Sequence, residues 1–146
     1  MDCKRIAEAL HVKEQDPRTL SPLTLAYMGD CVYELAIRTM VVEKGNRPVD
    51  QLNRLGSQLA KAPTQCRVMR ELTGFLTEEE LAVYRRGRNA KSPTMAKNAT
   101  VSEYRTATGF EALLGYLYLT DQTDRLLTVL QEAFRIERRQ HQEQKG

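Results

Sequence analysis

The stretch Leu23–Val42 constrains this chain most, because it is apolar on every side and yet carries a carboxylate in its middle. On a helical wheel Leu25, Met28, Val32, Leu35 and Ile37 point in different directions, which leaves no wide polar face and predicts a buried helix. Ser21 followed by Pro22 offers an N-cap hydroxyl and a proline at the first helical position, and Gly45-Asn46 offers a stop, so this helix is expected over about 22–44. Asp30 then sits where an ionised carboxylate is costly unless it is paired, hydrogen-bonded or bound to a cation. Two readings are open at this point: a structural acid bonded to a buried arginine or a helix end, and a functional one.

The rest of the chain is helical in pattern. Residues 1–18 form an N-terminal arm, with helical spacing through Ile6, Ala9 and Leu10. After Arg47-Pro48, apolar residues recur at Val49, Leu52, Leu55, Leu59 and Ala62 and again at Val68, Met69 and Leu72, and Pro63 marks a break between two helices. Thr77 with Glu80 three residues on is a capping box, opening a helix that is expected to end near Gly87. Arg85 to Arg105 reads as a loop rich in Gly, Pro, Asn and Ser. A second long apolar helix is expected at about 101–120 and a last one at about 122–139, followed by a frayed charged tail over 139–146. No strand pattern and no internal repeat competes, so the expectation is an all-α fold in a single domain spanning 1–146.

Composition closes off several classes. The formal charge of +3 is mild, so a nucleic-acid partner must be argued from where the positive charges lie. Cys3, Cys31 and Cys66 are odd in number and far apart, which argues against a disulfide framework or a zinc site and fits a reduced cytoplasm. No apolar run follows Met-Asp-Cys-Lys-Arg and no stretch of about 18 uncharged apolar residues exists, so neither a signal peptide nor a membrane span is expected. His11 and His141 lie near opposite ends in polar sequence, which makes histidine catalysis a poor fit.

Glu111 is a second lone acid, inside the second long helix, where Tyr104, Thr108, Glu111, Gly115 and Tyr118 share a narrow face. Gly29 adjoins Asp30 and Gly115 lies one turn past Glu111; glycine inside a helix is unfavourable and often admits another backbone. If the two helices cross at these glycines the carboxylates meet, and two like charges are tolerated there when a divalent cation lies between them. Oxygen ligands select Mg²⁺, with Mn²⁺ as substitute. Such an ion polarises a phosphoryl oxygen and activates water, the chemistry of a phosphodiester hydrolase. Glu34, one turn past Asp30, is either an outer ligand through water or an exposed, ion-paired residue.

The basic stretch carries Arg85, Arg86, Arg88, Lys91, Lys97 and Arg105 against Glu103, with Asn89, Ser92 and Asn98 among them. It reads either as a solvated connector or as a phosphate-binding surface in which Arg and Lys neutralise the backbone and small polar groups position it.

Tyr27-Met28-Gly29-Asp30-Cys31-Val32-Tyr33-Glu34-Leu35 resembles the ribonuclease III signature helix, and Phe110-Glu111-Ala112-Leu113-Leu114-Gly115-Tyr116-Leu117-Tyr118-Leu119 resembles that family's second catalytic helix. Arg85-Arg86-Gly87-Arg88-Asn89-Ala90-Lys91-Ser92 and Lys97-Asn98-Ala99 look like the shortened subfamily called Mini-ribonuclease III. The resemblance implies a ribonuclease III catalytic-domain fold and a divalent-metal-dependent endoribonuclease of double-stranded RNA, with Asp30 and Glu111 as catalytic metal ligands. It also implies a homodimer and maturation of the large-subunit (23S) ribosomal RNA precursor, with a ribosomal protein as a candidate for presenting the substrate. Two other acids of the family pattern are replaced by Ala26 and Thr108, so the metal site is expected to be lean. No room is expected for a double-stranded-RNA-binding domain, which leaves the stretch 85–105 to clamp the duplex. The rival readings are a catalytically silent RNA-binding or ribosome-associated protein on the same fold, and a helical dimerisation module without RNA.

Overall fold

The computed structural model describes residues 2–91 and 100–145. Among them the regular structure is helical: α1 (Cys3–Ala9), α2 (Pro22–Glu43), α3 (Val49–Ala60), α4 (Ala62–Leu72), α5 (Glu78–Asn89), α6 (Val101–Leu119) and α7 (Thr123–Lys145), with short 3-10 turns at Pro17–Thr19 and Thr73–Phe75. The all-α expectation holds.

Local chemistry sets the boundaries. The Ser21 hydroxyl accepts the Thr24 N–H at 3.2 Å and opens α2, with Pro22 at the first helical position. At the start of α5 the Thr77 hydroxyl accepts the Glu80 N–H at 3.2 Å while the Glu80 carboxylate accepts the Thr77 N–H at 2.9 Å. Thr100 and Glu103 repeat the device at the start of α6, both bonds at 3.0 Å. The break between α3 and α4 falls at Lys61, whose backbone is extended, and Pro63 sits in the first turn of α4 where its missing N–H breaks no helical bond.

Helix α6 is the axis of the molecule. Phe110, Leu113, Leu114 and Leu117 are buried, as is every residue from Thr106 to Leu117 except Glu111. Helices α2, α4, α5 and α7 pack around it, and Tyr33 on α2 meets Phe110 edge-on at 5.2 Å while stacking on Phe134 of α7 at 5.7 Å. Arg125 on α7 closes the far side: it donates twice at 2.8 Å to the buried Glu80 carboxylate, which is held below the usual carboxylate range by that bond.

Three expectations are corrected. Helix α2 is buried on one side only, along Leu25, Ala26, Gly29, Tyr33, Ile37 and Val41; Tyr27, Leu35 and Val42 are exposed despite their apolar character. Periodicity fails here because both sides are apolar, and a wheel cannot tell which side other helices cover. Helix α5 runs to Asn89, past Gly87, because Gly87 is packed within the bundle: a β-carbon there would meet Ala112 Cβ at 2.7 Å and Gly109 Cα at 2.9 Å. The expected frayed tail is helical over 139–145, since α7 continues to Lys145, with Arg139 paired to Glu71 and Glu143 and Gln140 donating to the Arg67 carbonyl at 3.1 Å; Gly146 lies outside the described residues. The N-terminal arm is seated by Ala7, which is buried, and by an ion pair between Lys4 and Asp121 at 3.5 Å.

Candidate active site

The site is built where α2 crosses α6. Gly29 lies so close to the Glu111 carbonyl that a β-carbon would land on it, and would also come within 2.9 Å of Gly115 N; a β-carbon on Gly115 would land on the Leu25 carbonyl and come within 3.0 Å of Gly29 N. Each glycine thus admits the other helix's backbone, a close approach that any larger residue blocks. Asp30 follows Gly29 directly and Glu111 lies one turn before Gly115, so the crossing brings both acids to the same junction, in line with the sequence pattern.

The two carboxylates differ in environment. Asp30 is exposed on the flank of α2, contrary to the expectation that it sits in an oily interior; partial desolvation raises its pKa, and the neighbouring Glu34 charge adds to that. Glu111, half-buried, is the more enclosed acid. Burial first, and the Asp30 charge second, push it up to about 8, while a hydrogen bond from Gln65 acts in the opposite direction. Asp30 and Glu111 therefore feel each other's charge across the junction. Glu34 is held by Arg38 at 3.2 Å on the same helix, which matches the ion-paired reading of that residue.

The donor set suits a hard, well-hydrated cation. Among the described residues no group of three or more His, Cys, Asp and Glu gathers, so the protein offers few ligands here. Ala26 is buried and carries no oxygen, and the Thr108 hydroxyl donates at 2.9 Å to the Tyr104 carbonyl of its own helix. Gln65, 3% exposed, has its Oε1 buried without a partner while its Nε2 donates to the Ala60 carbonyl at 3.0 Å. Two carboxylates at one helix crossing, one of them bonded by a buried amide, fit Mg²⁺, which keeps several of its waters and takes few protein ligands.

The expected RNA-binding residues divide. Arg85, Arg86, Arg88 and Asn89 lie on the last turns of α5 and Arg105 on the second turn of α6, so most of the basic stretch is helical rather than looped. Helix propensity in Arg-rich sequence and the α6 packing of Gly87 outweigh the turn signal of its Gly and Asn. Arg85, Arg86, Asn89, Lys91 and Arg105 are exposed, whereas Arg88 lies over the Tyr84 ring at 5.5 Å. Ser92, Lys97 and Asn98 lie outside the described residues. Gly87 seats this basic turn on Thr108, Gly109 and Ala112 of α6.

Sequence reasoning misses Gln65. A signal is present, since it stands at the apolar spacing of Val68, Met69 and Leu72, so that a polar amide occupies a core-facing position of α4.

Comparison with known proteins bears on the same residues. The ribonuclease III domain family matches residues 23–122. The chain is similar to Mini-ribonuclease 3 of Clostridium tetani, 46% identical over 80% of this chain and 78% of that one. It is likewise similar to Mini-ribonuclease 3 of Symbiobacterium thermophilum, 48% identical over 81% of this chain and 91% of that one, and of Brevibacillus brevis, 43% identical over 84% and 91%. An X-ray crystal structure of a Fusobacterium nucleatum protein superposes with a TM-score of 0.74 at 28% identity, covering 80% of this chain and 96% of that one. Matches of this extent, enclosing both carboxylates and the glycine crossing, establish that the chain belongs to the ribonuclease III family, in its Mini-ribonuclease 3 branch.

Proposed function

We propose that this protein is a divalent-metal-dependent endoribonuclease that cleaves double-stranded RNA. The observation that carries the reading is the reciprocal packing of Gly29 and Gly115, which leaves Glu111 within the field of Asp30. In this reading Asp30 and Glu111 hold Mg²⁺, or Mn²⁺ in its place. The ion, when bound, supplies phosphoryl polarisation and an acidified water at neutral pH. The chain's own part is electrostatic and positional: two carboxyl groups are held together at a packed helix crossing, where a cation would displace the Glu111 proton and be fixed in place. Exposed Asp30 leaves one side open to a phosphodiester, while the basic turn of α5 beside Thr108–Ala112 offers cations for the flanking backbone.

The substrate we assign is duplex RNA of the large-subunit (23S) ribosomal RNA precursor, cut in the cytoplasm by a homodimer, with a ribosomal protein as a candidate for presenting it. Three unpaired cysteines fit a reducing compartment, and among the described residues no helix is long and apolar enough to cross a membrane. The exposed apolar side of α2, Tyr27 at 80% and Leu35 at 60% exposure, fits coverage by a second copy.

Purified protein is incubated with duplex RNA in Mg²⁺ and in EDTA, alongside Asp30→Asn and Glu111→Gln. Cleavage in Mg²⁺ alone, with a loss of about 100-fold or more in either variant and duplex binding kept, is expected. Cleavage at the wild-type rate by either variant overturns the assignment. A second reading, a silent RNA-binding protein on the same fold, is favoured by Ala26 and by the self-bonded Thr108 hydroxyl; it predicts duplex binding with no cleavage in either buffer.

A further inference from the structure

We propose that Gln65 is a positioning residue of the ion site on Asp30 and Glu111: its amide N–H holds the Glu111 carboxylate, and its Oε1 accepts a hydrogen bond from the ion's hydration water. The proposal rests on the nuclease reading above and deepens it.

Gln65 is 3% exposed on α4, and its side-chain NH₂ has two hydrogens to place. One goes to the Ala60 carbonyl at 3.0 Å, at the end of α3, and the side chain also hydrogen-bonds Glu111. The Ala60 contact fixes the amide's orientation, since the reverse would set carbonyl oxygen against carbonyl oxygen. With both N–H groups used, Oε1 is what remains, and it is buried without a partner. A buried acceptor left unpaired costs roughly 1–3 kcal/mol, so its retention on the side chain that bonds Glu111 points to a donor that arrives with a ligand. A hydrated divalent ion brings such donors, because its bound waters present polarised O–H groups. Gln65 also answers the leanness of the site: Ala26 has no oxygen to offer and the Thr108 hydroxyl is tied to the Tyr104 carbonyl at 2.9 Å, so an amide on a third helix takes over the orienting task. Groups that orient metal ligands in this way change affinity about 10- to 100-fold when removed.

Mn²⁺ binding to the full chain is measured by electron paramagnetic resonance and calorimetry in the absence of RNA, with duplex affinity in EDTA and thermal melting as controls. Gln65→Leu, similar in volume but without donor or acceptor, is expected to bind Mn²⁺ about 10- to 100-fold more weakly. Duplex affinity in EDTA is expected to stay unchanged and kcat to fall with KM for RNA retained. Gln65→Asn keeps an amide but is one methylene short of Glu111; the same loss is expected, and it decides the matter should the Leu variant fail to fold. Wild-type Mn²⁺ affinity in the folded variant overturns the role of Gln65 and leaves the nuclease reading standing. Failure of the wild-type chain to bind Mn²⁺ at all removes the nuclease reading and the proposal with it.

Discussion

Glu111 couples the site to pH. Its carboxyl is raised to about 8 in the fold, chiefly by burial, whereas in the unfolded chain it ionises in the ordinary glutamate range. Between those two values the unfolded state has lost a proton that the folded state keeps, so the Glu111 contribution to ion-free stability is full below the ordinary range and is lost as pH rises toward 8. Urea denaturation in EDTA at a series of pH values should show this decline, on the order of a few kcal/mol. Glu111→Gln should flatten it. Binding of a cation requires the ionised acid, so Mn²⁺ affinity should rise with pH up to about 8 and then level off, with proton release seen in calorimetry below that point. Glu80 behaves in the opposite sense: Arg125 keeps its pKa low, so its contribution is present above the ordinary glutamate range and is lost as pH falls through its lowered value.

At the level of elements, the α2–α6 crossing is the feature on which fold and site both depend. Gly29→Ala places a methyl group against the Glu111 carbonyl, where backbone rather than a mobile side chain must give way. The helices are expected to separate and stability to fall by upwards of roughly 3 kcal/mol, read from urea midpoints, with Gly115→Ala behaving alike. A surface variant such as Thr128→Ala on α7 should stay within about 0.5 kcal/mol of wild type. The basic end of α5 is a separate lever. Arg85→Ala, Arg86→Ala and Lys91→Ala combined should weaken duplex binding and lower the salt slope of log affinity by about 0.9 for each phosphate no longer neutralised, with the fold unchanged by circular dichroism.

For the molecule as a whole, the exposed apolar residues of α2 are the departure from an ordinary surface. Tyr27 and Leu35 lie on the side of α2 away from α6, flanking exposed Cys31, and together present an uncovered apolar stripe. Leu35→Asp should convert the proposed homodimer to a monomer in light scattering, because a charge in an apolar interface is left desolvated and unpaired. A wild-type chain that is monomeric at micromolar concentration removes that reading.

What the sequence determined by itself is local. Caps at Ser21 and Thr77 open α2 and α5 where the sequence places them, because a hydroxyl accepting an N–H three residues on needs no tertiary partner. The two lone acids and their glycines were legible for a similar reason: a carboxylate or a glycine in an apolar helix is unfavourable there, and so marks a constraint from outside the helix. Tertiary structure decided which acid is the more enclosed, since Asp30 and Glu111 look alike in sequence and only the packing of α6 inside the bundle makes Glu111 the more strongly desolvated one. It also decided that α2 is covered on one side, that Gly87 is a packing contact instead of a helix end, and that the Gln65 amide on α4 is buried with its Oε1 unpartnered. Those outcomes depend on which surfaces meet, and helical period carries no record of the partner a face will find.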